Sequence, residues 1–184
     1  TESAPVKLGE PQRLVSGMAV DAHIRAINVR AEGSQMHFTV RRSNGHPMPD
    51  LDVVLITHDH YDHLEASTIR HLADKVARFV TPLGVGARLQ SWGVPADKIT
   101  ELGWGETTEI NGVRYTAEET LHYSSRWRDD RNKTLWAAFV LEGAGKRLYW
   151  SGDSGYSEHF ADAGKKYGGF DVAFMEIDAA NPGW

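Results

Sequence analysis

Cysteine is absent from this chain of 184 residues. That excludes disulfides, thiolate nucleophiles and cysteine-ligated zinc. No apolar run approaches the about 20 residues a bilayer span requires, so no transmembrane segment is expected. An excess of positive charge is also missing: 25 acidic residues against 20 basic ones leave a net charge of −5. Nucleic-acid surfaces are normally basic. No nucleic-acid partner is therefore expected, although Arg126, Arg128, Arg131 and Lys133 form a local basic stretch. Internal repeats and low-complexity segments are lacking. Thr1 to Pro11 is polar and carries prolines, unlike a signal peptide. A soluble protein is expected, cytoplasmic in preference to exported, although the lack of cysteine suits both compartments. The remaining composition, 41% apolar and 24% charged, is that of an ordinary globular protein. Its length fits one domain over 1–184.

The pattern along the chain alternates strands and helices. Ala19 to Val29 and Met36 to Arg42 suit strands, with a turn at Ser43-Asn44-Gly45. Leu51–Ile56 is a short continuous apolar run, as in a strand buried on both faces. Leu64 to Val76 has the spacing of an amphipathic helix. Ala77–Thr81 reads as a strand, Gly86–Trp92 as a short helix ending at Gly93, and Ile99 to Leu102 as another strand. Glu109–Glu118 and Thr134–Glu142 read as strands. Gly143-Ala144-Gly145 turns the latter into Lys146–Trp150 as a hairpin. His159–Tyr167 reads as a helix stopped by Gly168-Gly169, and Val172–Ile177 as a final buried strand. The mixture predicts a layered α/β domain.

Thr57-His58-Asp59-His60-Tyr61-Asp62-His63 is the densest chemical signal. It holds three of the chain's nine histidines directly after the strand at Leu51–Ile56. On extended backbone, side chains at i and i+2 point the same way. His58 and His60 can thus aim two imidazoles at one point, and Asp62 and His63 can reach a second point nearby. Histidine and carboxylate together suit zinc and similar cations, and catalytic sites leave a position open for water. Protonated imidazoles packed side by side would repel, so a metal is the reason for such crowding. His122 and Asp153 also follow strand-like segments, where ligands are often presented. Alone, His122 reads as a loop histidine and Asp153 as a turn cap.

Together these segments resemble the metallo-β-lactamase superfamily. Its signature His-x-His-x-Asp-His stands here as His58, His60, Asp62 and His63. Further segments resemble the branch of N-acyl-phosphatidylethanolamine-hydrolysing phospholipase D and ascorbate-6-phosphate lactonase. They are Thr57 to Leu64, Gly103-Trp104-Gly105-Glu106, Thr134-Leu135-Trp136 and Ser151-Gly152-Asp153-Ser154-Gly155-Tyr156, with His122…Arg126 and Asp130-Arg131-Asn132. The resemblance covers roughly Pro49 to the C-terminus. It implies an αββα sandwich, expected to be incomplete at both ends. The family's Gly-His pair and Thr-Asp-Pro turn do not appear in 1–48, and a further metal-binding histidine would lie beyond Trp184. No pattern selects His159, His37 or His46 in its place.

By the same resemblance, His58, His60 and His122 would hold one divalent ion. Asp62 and His63 would hold a second, and Asp153 would bridge the two. Zinc is the expected metal, with manganese or iron as alternatives. The implied activity is hydrolysis by a metal-activated water. A phosphodiester is the expected substrate, as in a phospholipase D. A lactone or other ester is the alternative, and a non-catalytic metal-binding module or fragment is the other. Asp62 and Asp153 are the catalytic candidates. Arg126 is the candidate contact for a substrate phosphate through bidentate hydrogen bonds. The partner is then a small-molecule or lipid ester or phosphodiester; oligomeric state is not legible.

Overall fold

The computed structural model describes residues 16–17, 24–32, 35–42 and 51–177. Its contacts cluster into two compact units, Thr1–Asp50 and Leu51–Trp184. The first unit contains β1 (Ser16–Gly17), β2 (Ile24–Glu32) and β3 (Gln35–Arg42) in one sheet. β1 runs parallel to β2, and β2 pairs antiparallel with β3. The turn expected at Ser43-Asn44-Gly45 lies outside the described residues.

The second unit opens with two βαβ crossovers. β4 (Leu51–Leu55), α1 (Ala66–Leu72), β5 (Val76–Pro82), α2 (Val85–Ser91) and β6 (Ile99–Leu102) follow in sequence. The three strands form a parallel sheet in the order β4-β5-β6. Parallel strands require such crossovers, and the helices cover one face. Ile69 of α1 and Val85 and Leu89 of α2 pack there with Phe79, Val76, Ile56 and Leu64. β5, not β4, is the strand buried in the middle. β4 sits at the sheet edge within this unit, and Val53 to Leu55 are only partly buried.

A second sheet follows in the order β11-β10-β9-β8-β7. Its strands are β7 (Thr107–Ile110), β8 (Val113–Glu118), β9 (Ala138–Gly143), β10 (Lys146–Trp150) and β11 (Val172–Phe174). The stretch expected as one strand, Glu109–Glu118, is a hairpin. Asn111 and Gly112 take φ of 51° and 76°, the paired positive values of a tight turn whose twist matches the strands it joins. The two sheets face each other through Val80 and Leu102 on one side and Tyr115, Ala117 and Phe139 on the other. α3 (His159–Tyr167) lies on the outer face, packing Phe160, Ala163 and Tyr167 against Val140 and Tyr149. Gly168, at φ 69°, closes it in the left-handed conformation glycine tolerates best. The layers of this unit are therefore helix, sheet, sheet, helix: the expected αββα sandwich.

Further boundaries differ from the sequence reading: the strand expected over Thr134–Glu142 begins only at Ala138. The first helix stops at Leu72, because Val76 already belongs to β5. The last strand covers Val172–Phe174 only and is exposed, since it is the edge of its sheet. No helix among the described residues is long and apolar enough to cross a membrane.

Candidate metal centre

The site forms at the carboxyl end of β4, where open α/β sheets present their ligands. Beyond the strand, Ile56 N–H still donates to Val80 O, and Thr57 O accepts from Ala137 N–H at 2.9 Å. The backbone is thus held between the two sheets when it reaches His58, which is 1% exposed. A tight turn follows: His63 and Leu64 N–H both donate to His60 O. Leu64 is buried in the core and anchors that turn. Glu65 then caps α1, its carboxylate accepting from Ser67 and Thr68 N–H. Asp62 and His63 are consequently carried on a short, fastened turn.

His122 sits on the loop after β8. Trp136 Nε1 donates to Thr120 O at 2.9 Å, and Gly155 N–H donates to Leu121 O at 2.8 Å. Asp153 follows β10, after Gly152 at φ 57°. A side chain on Gly152 would meet Thr57 Cβ at 2.9 Å, so the two ligand loops touch here.

These loops bring six of the expected residues together. His60 Nδ1 lies 3.0 Å from His58 Nε2 and 3.2 Å from His122 Nε2. Asp153 Oδ2 lies 3.8 Å from His58 Nε2 and 3.9 Å from His122 Nε2. The same oxygen is 3.1 Å from His63 Nε2, which is 3.5 Å from Asp62 Oδ2. Donors around one tetrahedral zinc at about 2.0–2.1 Å lie about 3.3–3.4 Å apart. In both groups, His58-His60-His122-Asp153 and Asp62-His63-Asp153, the candidate donor atoms lie within 4.8 Å of one another, close enough to converge on one ion. The donor set itself also fits a cation. Three imidazole nitrogens converge, and Asp153 Oδ2 approaches members of both groups. His159 belongs to neither group; its Nε2 is 3.0 Å from Ser154 Oγ. His46 lies outside the described residues.

Protonation favours ligation. Burial, with His63, His122 and His60 adding like charge, lowers His58 from 6.5 to about 2. Burial is also the largest cause lowering His60 and His122, opposed by nearby carboxylates. Thr57 Oγ1 lies 3.0 Å from His58 Nδ1. A proton on Nδ1 therefore has an acceptor, and Nε2 keeps its lone pair. In the metal-free protein these depressed values make stability depend on pH. The unfolded chain binds protons near pH 6.5 that the folded chain refuses until far lower. The contribution is fully present above 6.5 and is lost as the pH falls below it. We expect the melting temperature of chelator-treated protein to drop steadily from pH 7 to pH 5 in a thermal scan. A flat profile over that range would contradict this.

Arg126 lines the same cleft, and its guanidinium turns toward the ligand turn. Nη1 donates to Asp59 O at 2.7 Å and to Leu64 O at 2.5 Å. The group stacks 4.0 Å from the Tyr61 ring and 5.1 Å from the Trp92 ring. The Arg126 backbone N–H donates to Asp130 Oδ1.

Comparison with known proteins matches residues 19–184 to a beta-lactamase superfamily domain. The chain belongs to the metallo-β-lactamase superfamily. The match begins at residue 19, upstream of Pro49, where the legible motifs start. An uncharacterized protein of Mycobacterium tuberculosis is 41% identical over 74% of this chain and 37% of its own length. N-acyl-phosphatidylethanolamine-hydrolyzing phospholipase D 1 of Caenorhabditis elegans is 35% identical over 74% of this chain and 41% of its own. The chain spans about two fifths of the curated relatives it matches. Igni18, a metallo hydrolase of Ignicoccus hospitalis, superposes with a TM-score of 0.56 at 22% identity, over 70% of this chain and 52% of that one. That likeness concerns the fold.

Within this metallo-β-lactamase site, sequence reasoning passed over Asp59, Arg88 and Tyr123. Asp59 is fully buried between His58 and His60 in sequence, with Arg88 Nε donating to its Oδ2 at 2.8 Å. Tyr123 packs its ring 4.6 Å from that of His60. The signal for Asp59 was available: on extended backbone it must face away from its neighbours, into the protein, and a buried carboxylate needs a cation.

Proposed function

We propose that the chain carries a dinuclear, metal-dependent hydrolase centre acting on a phosphodiester, in the manner of a phospholipase D. The observation that carries this reading is the single Asp153 oxygen shared by two ligand groups. When bound, two divalent ions lower the pKa of water toward neutrality and neutralise the oxyanion that develops on the substrate. Zinc is the metal we assign, with manganese or iron as alternatives. The residues supply the rest. His58, His60 and His122 present neutral imidazoles, and Asp153 places negative charge between the two positions. Asp62, with its side chain 78% exposed, faces the cleft and can hold or pass a proton at Oδ2. Arg126, Arg128 and Arg131 line the same cleft and suit an anionic substrate, Arg126 as its phosphate contact.

The rim supports an amphipathic substrate. Tyr61, Trp127, Tyr156 and Ile177 line the cleft and are all more than half exposed. Trp127 and Tyr156 offer an apolar body with a polar edge, as a lipid headgroup region requires. We take 1–184 as a single hydrolase domain, with no nucleic-acid partner.

The test is turnover of bis(p-nitrophenyl) phosphate by metal-replete protein, against a lactone and a p-nitrophenyl carboxylic ester. The proposal expects diester hydrolysis that chelation removes and zinc restores. Hydrolysis of the lactone or ester alone would replace the phosphodiester by that class. No turnover with metal bound would leave a binding module.

A further inference from the structure

Asp59 is held from two sides. Arg88, on α2, donates from Nε to its carboxylate at 2.8 Å and from Nη2 to Asp130 Oδ2 at 2.7 Å. Asp130 uses its other oxygen to accept from the Arg126 and Trp127 N–H groups at 2.9 and 2.7 Å. The Arg126 side chain then returns to the carbonyl of Asp59 itself. The contacts close a ring: Asp59 carboxylate, Arg88, Asp130, Arg126, Asp59 carbonyl. Tyr61 and Trp92 flank the returning guanidinium.

Asp59 stands between His58 and His60 and points the opposite way. Gripping both its side chain and its carbonyl fixes the pitch of the extended segment. That in turn fixes the direction of both imidazoles. The geometry points to Arg88 and Asp130 as positioning residues that hold the His58–His60 segment in its ligating form before any metal arrives, and so set the metal affinity. Arg88 and Asp130 do not line the cleft, and of the ring only Arg126 does. The ring's action rests on the reading of the six residues as a metal centre.

The arginine fork is essential to this arrangement. Two carboxylates are bridged by two nitrogens of one planar group, which a lysine cannot reproduce. Asp130→Asn is the mildest probe. It keeps an amide oxygen for the two backbone N–H groups and loses only the acceptor for Arg88. R88K keeps the charge and loses the fork.

Two measurements test the ring. Zinc affinity is read by competition with a chromogenic chelator, on the full chain. Hydrogen exchange of the amides in 58–64 is read on the metal-free protein, with thermal melting as the check on folding. We expect R88K and D130N each to weaken zinc by about 10- to 100-fold, as outer partners of metal ligands do. We expect exchange in 58–64 to quicken without metal. The double variant R88K/D130N should lose no more than the larger single loss, because both break the same link. Affinity within twofold of wild type in folded D130N and R88K, or additive losses, would overturn the proposal. If wild type binds no zinc, the metal reading fails, and exchange in the metal-free variants still decides the ring. Unchanged exchange would overturn it.

Discussion

Asp153→Ala is expected to abolish turnover and to lower the metal content. Asp153 Oδ2 lies 3.8, 3.1 and 3.9 Å from the Nε2 atoms of His58, His63 and His122. Removing it deprives both ligand groups of their only shared carboxylate. Two dications a few ångströms apart repel, and a bridging anion offsets that repulsion. The position with two remaining ligands, Asp62 and His63, should empty first, since Asp62 is exposed and pays its own ordering cost. Hydrolysis of bis(p-nitrophenyl) phosphate and metal analysis of the same sample check this. Wild-type rates in a metal-replete Asp153→Ala protein would remove Asp153 from the mechanism.

Gly152→Ala should impair the centre from behind. Gly152 takes φ 57°, a conformation that costs an L-residue about 1–2 kcal/mol. An added Cβ would also stand 2.9 Å from Thr57 Cβ, 3.0 Å from Thr57 Cγ2 and 3.3 Å from Ala137 O. Overpacking of that kind costs about 1–3 kcal/mol. Neither neighbour is a flexible side-chain end. Ala137 N–H donates to Thr57 O, so the whole junction is tied to the backbone beneath His58. The expected result is about 2–5 kcal/mol of lost stability by denaturant titration, with weaker metal binding because His58 and Asp153 move apart. Full stability in this variant would show that the loops separate freely, contrary to the close packing described.

The candidate site was legible because its densest part is local. Four of the proposed ligands fall within His58 to His63, on an extended segment whose periodicity aims them. His122 and Asp153 were readable only through strand ends and family resemblance, since they lie 59 and 90 positions from His63. The arginine bracket was not legible at all. Arg88 lies 29 positions from Asp59 and 42 from Asp130, and only the packing of α2 brings them together. Secondary structure shows the same division. The helix at His159–Tyr167 was read with the bounds the structure has, because its apolar spacing and terminal glycines are local signals. The Asn111-Gly112 turn was present in the sequence as a strong hairpin signal and was read through as strand. The apolar run Val172–Ile177 was expected to be buried, but hydrophobicity states a preference and not whether a neighbour satisfies it. In the structure it pairs through β10 on one side only.

The most direct test of the account is the metal content of the protein purified without chelator, by inductively coupled plasma mass spectrometry. The proposed dinuclear reading of the two groups that share Asp153 predicts about two ions per chain. One ion or none in folded protein would contradict the dinuclear centre.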